Sequence, residues 1–93
     1  MREIPDNLPG ADLVKKGIQD LQEGRLTVES LLVSVGARRI RESGVEVPPG
    51  LATPEERLYE LVAGSHGDDA HSQYNALIRR LISFEQALEC ASR

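Results

Sequence analysis

The sequence predicts an all-α fold: a small four-helix, bundle-like domain with a long C-terminal helix. Three observations lead there. Ala70, Tyr74, Leu77, Leu81, Phe84, Leu88 and Ala91 fall at alternating spacings of four and three, a heptad seam that only a helix places on one line. Aromatics are scarce (Tyr59, Tyr74 and Phe84, with no Trp), so the core has to be Leu, Ile and Val, which suits helix packing. Strand-like alternation occurs only around Val45 and Val47.

Residues 1–10 contain Pro5, Pro9 and Gly10 and read as an irregular lead-in. A first helix is predicted from about Ala11 to Glu23, with Leu13, Val14, Ile18 and Leu21 as its stripe and Gly24 as its terminator. Gly17 near that stripe reads equally as the site of a close helix crossing and as a tolerated glycine costing up to about 1 kcal/mol. Thr27 is the N-cap of a second helix reaching about Ser43, with Gly44 as its stop. Its first half, Val28 to Val35, is apolar around most of its circumference and belongs at the centre of the structure.

Val45 to Ala52 holds Pro48-Pro49-Gly50 and reads as an extended connector. Thr53-Pro54-Glu55-Glu56 then predicts a capping box: Thr53 at the N-cap, Pro54 at N1 and Glu56 at N3. The third helix ends near Ala63 or Ser65, with Leu58, Leu61 and Val62 facing inward. Gly64-Ser65-His66-Gly67 breaks the chain, and Asp68 or Asp69 caps a fourth helix running nearly to Arg93. At about 1.5 Å per residue that helix is roughly 35 Å long, against about 20 Å for the first. Ile78 and Ile82 broaden its seam on one side.

A chain of 93 residues makes one domain, spanning 1–93. The formal charge is −4, and neither half is a basic domain: residues 1–50 carry seven bases and eight acids, residues 51–93 four and seven. Bulk attraction to nucleic acid therefore has no support. No apolar h-region opens the chain and no run reaches a membrane span, so no membrane role is expected. The single cysteine, Cys90, fits a reducing compartment, and the expected location is cytoplasmic.

Motifs of catalysis and cofactor binding are thin, so the expectation leans away from an enzyme and no cofactor is implied. Asp68 and His71, three apart at the start of the fourth helix, have the carboxylate-x-x-His spacing of helix-borne metal ligands. The plainer reading has the aspartates capping that helix and both histidines in a solvated turn. Arg38, Arg39 and Arg41 offer a phosphate-contacting patch, and Leu31 to Val45 has some helix-turn-helix character around Gly36. That match fails near Glu42, where a recognition helix needs an apolar residue, and the plainer reading is a helix end whose cations offset its dipole. Glu85 projects into the broadened apolar face, as a partner anchor or in an ion pair with Arg38, Arg39 or Arg41.

The functional expectation follows from the seam. Shorter neighbours are expected to cover about two thirds of the fourth helix, and each Leu or Phe left exposed forfeits about 1.5–3 kcal/mol. Self-association as a two-fold dimer is the remedy, through Tyr74, Leu77, Leu81, Phe84, Glu85 and Leu88. The chain reads as a non-catalytic protein-interaction or regulatory module. A DNA-binding regulator and a metal- or ligand-binding bundle are the alternatives.

Overall fold

A computed structural model describes residues 4–91, and everything below refers to those. They are all-helical: α1 (Ala11–Gln22), α2 (Val28–Glu42), α3 (Pro54–His66) and α4 (Ala70–Ala91), with a 3₁₀ turn, Gly67–Asp69, between α3 and α4. Helix α2 lies in the middle and packs against the other three, and α3 packs on α4. Its Leu31, Leu32, Val33 and Ile40 are sealed from solvent, as its all-round apolar sequence predicted.

Helix ends follow local chemistry closely. In the α1–α2 turn Gly24 takes a left-handed φ of 74°. Its N–H donates to Leu21 O at 3.2 Å, and Arg25 N–H reaches Asp20 O at 2.8 Å. Gly44 repeats the arrangement at φ 94°, donating to Arg41 O, while Val45 N–H donates to Ile40 O. Both are Schellman closures, which need a residue free of the Cβ penalty at positive φ. At the start of α2, Thr27 Oγ1 accepts from Ser30 N–H at 3.1 Å, and Ser30 Oγ accepts from Thr27 N–H at 2.8 Å. Two otherwise orphaned donors are thereby satisfied.

The expected capping box at α3 does not form. Pro54 does open the helix, but Thr53 sits at φ 43°, ψ 52° and makes no side-chain cap bond. Capping needs an extended N-cap residue, and the left-handed backbone turns the hydroxyl away from N3. The break before α4 also lies later than expected. Helix α3 continues through Gly64 and Ser65 to His66, and the chain turns at Gly67. Asp69 accepts from Gln73 Nε2 at 2.9 Å, one turn into α4.

The α1–α2 pair is tight. A Cβ on Gly17 would stand 2.4 Å from Glu29 O and from Val33 Cγ2, so the close crossing exists because position 17 has no side chain. The connector after α2 is strapped down by polar contacts. Arg41 donates to Val47 O and Pro48 O, Ser34 Oγ accepts from Leu51 N–H, and Val45 and Val47 are buried beneath.

The predicted seam of α4 turns inward instead of facing a second chain. Leu81, Phe84 and Leu88 are buried core, Tyr74 and Leu77 are half-buried, and only Ala91 of the seven is exposed. The inference of an uncovered overhang set the length of the fourth helix against that of its shorter neighbours. The molecule sets α3 against the start of α4 and α2 against its later turns, while α2 and α3 also pack on each other. Tyr59 of α3 meets Tyr74 near its start. Arg39 and Gly36 of α2 meet Glu85, and Gly10 lies against Phe84 near its far end. Together the two short helices cover what neither covers alone.

Candidate interaction surface

Of the six residues expected to form an interface, Leu81, Phe84, Glu85 and Leu88 are therefore spent inside this chain and are closed to a partner. What stays open is the flank beside the seam. Tyr74, Ile78 and Ile82 stand four apart on α4, a ridge advancing about 6 Å per step. Tyr74 and Ile78 pack partly on the core, while Ile82 is 40% exposed. Tyr59, 39% exposed, extends the ridge onto α3 through an edge-to-face contact with Tyr74, ring centroids 5.5 Å apart and planes at 65°. Burial pushes the Tyr74 phenol above its ordinary range, and the Glu55 carboxylate adds to this. Leu26 and Leu61 are exposed too, but elsewhere. Leu26 lies in the α1–α2 turn, and Leu61 projects about 200° around α3 from Tyr59.

A charged cluster borders the C-terminal end of this ridge. Arg39 of α2 donates to Glu89 Oε1 from Nη2 at 2.6 Å and Nε at 3.0 Å, and to Glu85 Oε1 from Nη1 at 3.4 Å. Glu85 is 5% exposed and lies against Gly36, where a Cβ would stand 2.8 Å from its Oε2. Burial is the main influence on its carboxyl and raises it above the ordinary glutamate range. Arg39 opposes that shift and Glu89 adds to it. The ion-pair reading of Glu85 thus holds, with Arg39 as the partner.

The other expected cations are engaged in the same way. Arg38 pairs with Glu42 at 3.2 Å, and Arg41 is turned onto the connector carbonyls. The three guanidiniums thus turn to three separate sets of acceptors and not to one outward patch. Helix α2 is unbroken through Gly36, so the helix-turn-helix outline is absent there. Asp68 lies in the 3₁₀ turn and His71 in the first turn of α4, both exposed. Among the described residues no group of three or more His, Cys, Asp or Glu is placed to hold a metal ion. The hollow at Thr53, Pro54, Glu55 and Glu56 has a volume of ≈ 190 Å³. Small-molecule sites usually run to about 300–1,000 Å³.

One buried acid escaped the sequence reading. Asp20 is closed from solvent at the base of the α1–α2 turn, accepting from Lys16 Nζ and from Thr27 Oγ1, each at 2.7 Å. The Lys16 hydrogen bond, then that of Thr27, holds its carboxyl below the ordinary aspartate range. The same bond raises Lys16. The available signal was Thr27 itself, a cap residue whose hydroxyl proton needs an acceptor nearby.

No protein-family model, curated protein or solved structure matches the chain. No helix among the described residues is long and apolar enough to cross a membrane.

Proposed function

We propose that the chain is a small non-catalytic interaction module that pairs with a second copy of itself along the outer flank of α4. The carrying observation is the ridge of Tyr59, Tyr74, Ile78 and Ile82, partly open where the other large apolar side chains of the described residues, Leu26 and Leu61 apart, are enclosed or half-buried. In this reading the four helices close as a bundle, and the ridge, not the seam, is the surface offered outward. A two-fold axis through the ridge sets each Ile82 against its copy, adding apolar burial worth about 25 cal/mol per Å². The exposed lone thiol of Cys90 supports assignment to a reducing compartment, the cytoplasm.

Light scattering at high micromolar concentration tests this. Twice the 10.2 kDa chain mass is expected, with Ile82→Arg returning to 10.2 kDa at unchanged helicity. A wild-type protein that stays at 10.2 kDa throughout removes the proposal.

A further inference from the structure

We infer that Glu85, lodged against Gly36 and sharing the Arg39 guanidinium with Glu89, is a proton-operated latch that tightens the α2–α4 contact on acidification. Two carboxylates compete for one cation here. Glu89, at the edge, takes both short bonds, leaving the buried Glu85 a single contact at 3.4 Å. Arg39 is itself 44% exposed along its side chain, so much of its charge is screened by water. The second oxygen of Glu85 faces the glycine notch and Leu81, where a Cβ would already be 2.8 Å from Oε2 and 2.9 Å from Leu81 Cδ1.

A buried carboxylate held by one long contact to a water-screened cation is costly, and the neutral acid costs less. The charged groups acting on Glu85 are Arg39 from α2 and Glu89 from its own helix, while α3 gives the core Leu58 and Val62. When Glu85 takes up a proton, the buried charge disappears and Arg39 turns wholly to Glu89. The notch then holds a neutral group between two well-packed helices. This inference stands independently of self-association.

The test follows the Glu85 side-chain carboxyl by ¹³C NMR in the full chain, with chemical denaturation of wild type and E85Q, from about pH 4 to about pH 8. A Glu85 midpoint above that of a free glutamate is expected. The wild-type folding constant divided by that of E85Q should rise severalfold on acidification, and amide protection from Leu81 to Leu88 should rise with it. E89Q frees Arg39 for Glu85 and removes a like charge, so it should lower the midpoint and shrink the effect. A midpoint at or below the free value, a ratio flat or falling towards acid, or unchanged amide protection overturns the latch. Should E85Q fail to fold, the wild-type and E89Q titrations decide alone.

Discussion

Asp20 is one of two buried carboxylates in the described chain, and its environment favours charge where that of Glu85 disfavours it. Held by Lys16 and Thr27, it binds a proton less readily folded than unfolded. It therefore contributes stability above the ordinary aspartate range, lost as pH falls through the folded value. Asp20→Asn should be less stable at neutral pH and show a flatter decline in acid, checked by urea midpoints from about pH 3 to about pH 6. Glycines give a second contrast at this scale. Gly17→Ala forces a methyl into Glu29 O and Val33 and should cost about 1–3 kcal/mol. Gly64, in the last turns of α3 with nothing within 4 Å of its Cβ position, should gain about 0.5–1 kcal/mol on mutation to Ala. Thermal denaturation of the pair decides whether close crossing or intrinsic propensity governs each site. Beyond the indirect signal of Thr27, Asp20 was not legible from sequence, because an aspartate four residues after a lysine reads as an ordinary surface pair. Its burial comes from the neighbouring helix.

Helix termini were the most legible parts of the chain, because caps and stops are local. Gly24 and Gly44 end α1 and α2, and Thr27 starts α2, where the residues demanded. Thr53 is the instructive exception. It carries the right residue for a cap, yet its backbone is left-handed, a conformation costing a β-branched side chain about 1–2 kcal/mol. The connector strapped onto α2 through Arg41 and Ser34 fixes the direction from which the chain enters α3, and that long-range tie overrides the local box. Thr53→Asn, which tolerates the left-handed region, should raise stability by about 1 kcal/mol in chemical denaturation. Loss of stability instead means that the threonine side chain makes a contact worth more than the strain.

For the molecule as a whole, the heptad seam identified the longest helix but not what it faces. Spacing shows that Leu81, Phe84 and Leu88 share a line. It carries no information on where α2 and α3 meet that line, because their placement depends on contacts distant in sequence, the Gly36 notch against Leu81 and Glu85 among them. The described part measures 40 × 25 × 19 Å, its longest axis close to the length of α4, so the rod sets the overall shape. If copies pair along the flank ridge, folding and association are linked. The thermal midpoint should then rise with protein concentration in the wild type and not in Ile82→Arg. A concentration-independent midpoint in both removes the linkage.

Cys90 has one more use. It is the sole thiol of the chain, exposed on the final turn of α4, eight residues beyond Ile82 and so about 12 Å along the axis. If two rods meet head to tail about Ile82, their sulfurs lie at opposite ends of the joint. If they run in the same direction, the sulfurs sit at one level, and spin labels on Cys90 read a shorter separation than the roughly 24 Å along the axis of the opposed arrangement. The unaltered protein thus carries its own built-in compass for the polarity of any such pairing.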